Sequence, residues 1–176
     1  MKRQILKIFF TLVISSVSLT AAAVSSGIDS ENFARISLKG INTIAINIDP
    51  PFGNDYATLR VTSGVSKEDL KQQIEQKLRI AGFNVISFEQ SLENPEAVVL
   101  NLRMRLVMPW SLFYQYNLDL SLKQKMPLPT GNNAFYSVET WSDGLHGAVS
   151  QSDLKYLNNY SLQLVDNFIS ACQAQN

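Results

Sequence analysis

Residues 97–123 read AVVLNLRMRLVMPWSLFYQYNLDLSLK, which is two alternating runs joined by a short turn. The even-numbered positions of both runs are apolar, from Val98 in the first to Leu122 in the second. The odd-numbered positions are mostly polar and include Arg103 and Arg105. Because side chains on a strand alternate between two faces, the pattern predicts two antiparallel strands with one buried and one solvated face.

The clearest helix signal follows Ser66, a residue type that caps helix N-termini well. We predict a helix over Lys67–Ala81, ended by Gly82, which adopts the left-handed conformation at little cost. Apolar residues recur at helical spacing and form one stripe. The stripe consists of Leu70, Ile74, Leu78 and Ala81.

Strands are predicted on both sides of this helix, over Ile41–Ile48 and Phe83–Phe88, because both stretches are rich in β-branched and aromatic residues. A strand, a helix and a strand in succession predict a crossover unit with two parallel strands. The first strand ends apolar on both sides, which is typical of a strand in the sheet interior.

The C-terminal part predicts a further strand over Phe135–Trp141, a loop with two glycines over Trp141–Gly147, and a helix from about Asp153 to Ala171. The apolar stripe of that helix consists of Leu157, Ser161, Leu164, Val165, Phe168 and Cys172.

Together these elements predict an α+β fold in the order β-α-β-β-β-β-α. We expect a two-layer sandwich, in which a mixed sheet with an antiparallel meander carries two helices on one face. A length of 176 residues favours one domain. We place that domain at residues 33–176, after a flexible segment at 24–32.

Residues 1–23 have the layout of a secretory signal peptide, with a basic start, a short apolar run and small residues before the expected cut after Ala23. The alternative is an uncleaved membrane anchor, although the apolar run is short for a span. Since no cysteine stands near the cut, we expect no lipid attachment there. The sequence therefore predicts a periplasmic or secreted protein without a transmembrane anchor after cleavage.

The charge balance argues against nucleic acid as a partner. Residues 1–23 carry three basic and no acidic side chains, which leaves 12 Lys and Arg against 15 Asp and Glu in the remainder. Nucleic-acid-binding domains usually carry a basic face instead. Cys172 is the single cysteine, so an internal disulfide is impossible. Its side chain either packs in a helix or forms an intermolecular disulfide.

Catalytic and metal-binding patterns are missing from the sequence. His146 is the single histidine, and no local motif joins it to Cys172. One histidine and one cysteine are too few for a zinc site without carboxylates or a second chain. The glycines match neither the dinucleotide-binding nor the P-loop pattern. We therefore expect a protein that is not an enzyme and has no cofactor or metal.

Three candidate binding regions remain. The turn between the two alternating runs is unusually apolar, and exposed Trp, Leu and Phe side chains are typical of contact sites. Its candidate residues are Trp110, Leu112 and Phe113. The alternative is that this tip folds back over the core.

The second region is the predicted loop with Trp141 and His146, where the imidazole would change charge at mildly acid pH. The third is the polar face of the meander, with Arg103 and Arg105, which would be open to a peptide, a glycan or another subunit. A plain turn and a plain solvated sheet face are the alternatives for these two regions.

The order of elements resembles that of small periplasmic accessory proteins, namely the lipopolysaccharide-assembly lipoprotein and the auxiliary lipoproteins of envelope ABC transporters. The similarity lies in the apolar stripe of the first helix, the stretch Ala81–Ile86 after it, the long pair of strands and the C-terminal amphipathic helix. Those families begin with a lipidated cysteine, which this chain lacks after its signal peptide. The resemblance implies a non-catalytic role in the envelope of a Gram-negative bacterium and assigns no binding residue.

We therefore expect an exported accessory protein that binds another envelope or secreted protein, or a surface component, through its apolar hairpin tip. The alternative is a carrier or sensor of a small apolar ligand, held between helices and sheet near Leu78, Leu102 and Leu164.

Overall fold

The structure is a computed structural model that describes residues 30–49, 66–107, 113–127 and 135–176. Its helices are α1 (Ser30–Ser37), α2 (Lys67–Ile80), α3 (Phe88–Glu93) and α4 (Leu157–Gln173), with a 3-10 helix at Gln151–Tyr156. Its strands are β1 (Thr43–Asp49), β2 (Asn84–Ile86), β3 (Val98–Val107), β4 (Phe113–Pro127) and β5 (Phe135–Ser150). The predicted signal peptide and most of the predicted flexible segment lie outside the described residues.

The described strands form one mixed sheet in the order β2-β1-β3-β4-β5. β1 is parallel to both β2 and β3, while β3, β4 and β5 form an antiparallel meander. The predicted α+β class, the parallel pair around the first helix and the antiparallel pair over residues 98–123 are confirmed. β1 lies between two other strands, as predicted for a strand in the sheet interior, but its end is apolar on one side only, because Asn47 and Asp49 lie on the other.

The core lies between one sheet face and the helices α2 and α4. The even-numbered side chains of β1, β3 and β4 point to it, as the alternation predicts. The predicted stripes are buried in both helices, apart from the half-buried Ala81. Phe168 of α4 packs against the rings of Phe83 and Trp141, at centroid distances of 6.0 and 5.3 Å.

Both ends of α2 follow the prediction. Ser66 Oγ accepts a hydrogen bond from the backbone N–H of Asp69 at 3.0 Å, which satisfies one of the free donors at the helix start. Gly82 has a φ of +95°, so the residue after the helix is in the left-handed region that glycine favours.

The predicted loop at Trp141–Gly147 is wrong, because β5 continues without a break through these residues to Ser150. Close contacts with the neighbouring strand explain why glycine occupies these two positions. A Cβ at Gly144 would lie 3.1 Å from the carbonyl oxygen of Leu118, and one at Gly147 would lie 2.8 Å from the hydroxyl oxygen of Tyr116. Glycine inside a strand often marks such a close approach of neighbouring atoms, and here it does not mark a turn.

Two short helices were not predicted. α1 packs against β5, where Ser37 Oγ donates to the carbonyl oxygen of Thr140 at 3.1 Å. α3 replaces the end of the predicted strand 83–88, and its start is a capping box. Ser87 Oγ accepts from the N–H of Gln90, and Gln90 Oε1 accepts from the N–H of Ser87. α3 lies on the sheet face opposite α2 and α4, where it covers part of the predicted open face.

Candidate binding surfaces on the polar face

The polar face is the sheet surface opposite α2 and α4, formed by the odd-numbered residues of β1, β3 and β4. Strand register places its members side by side, because Asn47 pairs with Asn101, Asp49 with Arg103, and Arg103 in turn with Asp119. Every other residue of a strand lies on the same face, so these rows continue along the sheet. The polar face therefore collects side chains that lie far apart in sequence.

A hydrogen-bonded network lies near the middle of this face. Asn47 Nδ2 donates to Asp49 Oδ1 at 2.8 Å and to Asn101 Oδ1 at 2.6 Å, and Asn101 Nδ2 donates to Asp49 Oδ2 at 2.8 Å. Arg103 Nε lies 3.7 Å from Asp49 Oδ2. Asn101 is 2% exposed, so its polar atoms depend on these partners. The network fixes one carboxylate between two amides and a guanidinium.

The surroundings of Asp49 act on its pKa in opposite directions. Burial alone raises the pKa, but the hydrogen bonds from Asn101 and Asn47 and the positive charges of Lys123 and Arg103 lower it. The net pKa lies below the usual value of 3.8, so Asp49 is ionised at neutral pH. The carboxylate of Asp49 is therefore charged, and its charge is already met by two amides and nearby cations.

A cavity of about 230 Å³ lies beside this network, between α3 and the sheet. Its lining is part apolar and part polar and consists of Asn47, Phe88, Ser91, Leu92, Ala97, Val99, Asn101, Lys123, Lys125 and Ser137. The sequence reasoning did not find this cavity. The Ser87–Gln90 capping box was visible in the sequence, but the parallel register that brings β1 beside β3 was not.

The hairpin tip is described only in part. Trp110 and Leu112 lie outside the described residues, whereas Phe113 begins β4. Val107 pairs with Gln115 and Phe113 stands two residues before Gln115, so Val107 and Phe113 are diagonal neighbours on the polar face. They are 57% and 54% exposed, respectively. The described strand ends next to the tip therefore present an exposed apolar pair.

Trp141 and His146 do not come together as the loop prediction implied. They lie on opposite faces of β5, because Trp141 packs under α4 while His146 pairs with Asn117 of the polar face. His146 is exposed and makes no hydrogen bond or ion pair with any described residue.

Arg103 and Arg105 both lie on the polar face. The side chain of Arg103 is held beside Asp49, whereas Arg105 is exposed. Asp119, the cross-strand neighbour of Arg103, accepts a hydrogen bond from Asn117 Nδ2 at 3.0 Å. Arg103 therefore belongs to the network, and Arg105 lies exposed two residues further along β3.

The alternative of an apolar ligand held between the helices and the sheet concerns a region that side chains fill. Leu78, Leu102 and Leu164 are fully buried in the core cluster. Cys172 is buried in the same cluster, and burial raises the pKa of its thiol to about 12. In the described part of the chain, no helix is long and apolar enough to cross a membrane, and no cluster of His, Cys, Asp and Glu could hold a metal ion.

Comparisons with solved structures include two lipoproteins to which the chain is similar at low identity. A minor lipoprotein from Acinetobacter baumannii is 13% identical, with a TM-score of 0.29, over 77% of this chain and 93% of that one. The rare lipoprotein B from Shewanella oneidensis is also 13% identical, with a TM-score of 0.24. The match covers 76% of this chain and 90% of that one. Both are described as lipoproteins. No protein-family model and no curated protein sequence matches the chain.

Proposed function

We propose that the protein is an exported, non-catalytic accessory domain of the bacterial envelope that binds another protein at the hairpin end of its sheet. The observation that carries this proposal is the exposed apolar pair of Val107 and Phe113. The next positions on the same face are Arg105, Gln115 and Asn117, so the face changes from polar to apolar at this end. Contiguous exposed apolar side chains are typical of contact surfaces.

The sequence between Val107 and Phe113 is also largely apolar. Residues 108–112 read MPWSL, and tryptophan is among the residues that contribute most to binding energy in protein interfaces. In sequence, the apolar pair and this segment therefore contain aromatic and aliphatic residue types that are enriched in interface cores.

A non-catalytic role is supported by the state of the two side chains with the most catalytic potential. The thiol of Cys172 stays protonated and buried, which is the opposite of a nucleophilic cysteine. His146 has no carboxylate or hydroxyl partner among the described residues, so nothing there orients its imidazole as a general base.

The proposal is tested by site-specific photo-crosslinking in the cells that produce the protein. Phe113 is replaced by p-benzoylphenylalanine, and the same replacement at Ile80 serves as the control, because Ile80 is an apolar residue of α2 that is 79% exposed. We expect a discrete crosslinked protein from position 113 and none from position 80. We also expect Val107→Ser to abolish the crosslink from position 113.

Because Val107 is exposed, Val107→Ser should change the free energy of unfolding by less than about 0.5 kcal/mol, so loss of the crosslink would not reflect unfolding. Equal crosslinking from positions 80 and 113, or a crosslink that survives Val107→Ser, would refute the hairpin end as the contact surface.

A further inference from the structure

The cavity under α3 has two chemically different walls. Phe88 and Leu92 of α3 form an apolar wall. The sheet on the other side carries the polar groups of Asn47, Asn101, Lys123 and Ser137, together with Val99, which is the cross-strand neighbour of Lys123. Small-molecule sites typically combine a mostly apolar lining with a few fixed polar groups in this way.

The two lysines of the cavity differ in what their ammonium groups do. Lys125 Nζ donates to the backbone carbonyl oxygens of Ser91, Leu92 and Asn94, so its three donors are used at the end of α3. Lys123 Nζ makes no hydrogen bond or ion pair with any described residue. One cation of the cavity is therefore structural, while the other keeps its donors for a ligand.

The positive charge of Lys123 contributes to the lowered pKa of Asp49, but the carboxylate oxygens already accept hydrogen bonds from other residues. Its two oxygens accept from Asn47 and Asn101, and Arg103 lies 3.7 Å away. The buried Asn101 uses one of its two Nδ2 hydrogens on Asp49, and the other has no partner among the described residues. Two donors, from Lys123 and Asn101, therefore line the same polar side without an acceptor.

We propose that this cavity binds a small amphiphilic carboxylate, with its head group on Lys123 Nζ and Asn101 Nδ2 and its apolar body against Phe88 and Val99. An anion matches these donors, because charge-assisted hydrogen bonds are the stronger kind. The volume of about 230 Å³ restricts the ligand to a compact body, since sites for drug-sized molecules usually begin at about 300 Å³. This site is independent of the proposed protein contact at Val107 and Phe113.

The test is a titration of the isotope-labelled protein, purified after export, with octanoate and with octan-1-ol, followed by amide NMR shifts. The two probes share an eight-carbon chain and differ in the carboxylate. We expect saturable shifts from octanoate at the amides of Val99, Asn101, Lys123 and Ser137. Octan-1-ol should bind at least about tenfold more weakly, because it lacks the charged hydrogen bonds.

Two substitutions test the contributions of the ligand's head group and of its apolar body to binding separately. Lys123→Gln should weaken octanoate binding at least about tenfold while leaving octan-1-ol unchanged, because it removes only the positive charge. The matched control is Lys39→Gln, at an exposed lysine outside the cavity, which should change neither titration. Ser137→Phe places a ring at the cavity from an exposed strand position and should block both probes.

Three results would overturn the proposal. These are the absence of saturable shifts at the lining amides, equal binding of the two probes, and octanoate binding that survives Lys123→Gln. The amide spectrum of each variant reports at the same time whether it is folded, and Ser137→Phe tests the location without touching the polar network.

Discussion

Replacing Asn101 by alanine tests the network on the polar face most directly. The substitution removes a hydrogen bond to a carboxylate, worth about 1.5–3 kcal/mol, and a neutral one from Asn47, worth about 0.5–1.5 kcal/mol. The side chain of Asp49 is 33% exposed, so water replaces part of what is lost. We therefore expect the free energy of unfolding to fall by about 2–3 kcal/mol.

Urea unfolding at pH 7, followed by far-UV circular dichroism and tryptophan fluorescence, measures this loss. Trp141 packs on Phe168 in the core, so its emission reports the same unfolding. Coincident curves from the two signals establish two-state behaviour. The control is Asn84→Ala, because Asn84 is exposed and its amide makes only a long contact of 3.4 Å with Thr43. Asn84→Ala should lower the free energy of unfolding by less than about 0.5 kcal/mol.

A double-mutant cycle with Asp49→Ala isolates the interaction between Asn101 and the carboxylate. Residues of one hydrogen-bond network couple, so we expect a coupling energy of at least about 1 kcal/mol. If Asn101→Ala costs no more than Asn84→Ala, or if the two substitutions in the cycle are additive, the network does not stabilise the fold as argued.

Three further outcomes are expected. Phe168→Ala should lower the free energy of unfolding by about 3–5 kcal/mol, because it empties a fully buried site between two rings; a loss below about 1 kcal/mol in urea unfolding would contradict the packing. Cys172 should react with a thiol reagent only in urea and should form no intermolecular disulfide on a non-reducing gel, because the thiol is buried and its pKa is raised to about 12. The pKa of Asp49 is lowered, so its stabilisation is complete above the unfolded pKa of about 3.9 and is lost as the pH falls through the lower folded value. The difference in unfolding free energy between the wild type and Asp49→Asn should therefore narrow as the pH falls below about 4, and a difference that stays constant would refute the lowered pKa of Asp49.

Local patterns in the sequence were sufficient to predict which residues form the core. The stripe of α2 and that of α4 are set by helical spacing, and the β3–β4 pair is set by alternation with a short connection, so each could be predicted from contiguous residues. The same reasoning failed at Gly144 and Gly147, because the two glycines make the stretch Trp141–Gly147 resemble a loop. Their actual constraint comes from atoms of β4 on the neighbouring strand, which no local pattern contains.

The candidate sites were harder to predict for the same reason. Asn47 and Asn101 are 54 positions apart in sequence, and they meet because β1 is parallel to β3 in one particular register. The cavity also needs α3, whose residues were assigned in part to a strand because Phe88 continues an apolar run. Phe113, in contrast, was predicted to be a contact residue from composition alone, and the structure places it exposed on the polar face.

The two proposed sites lie on one sheet face but at opposite ends of it. Val99 lines the cavity and Val107 belongs to the exposed pair, and both are residues of β3 on the same face. Eight residues of strand separate them by about 26 Å at about 3.3 Å per residue. Substitutions this far apart without shared partners are usually additive. Lys123→Gln should therefore leave the crosslink from position 113 intact, and Val107→Ser should leave octanoate binding intact, so the two proposals stand or fall separately.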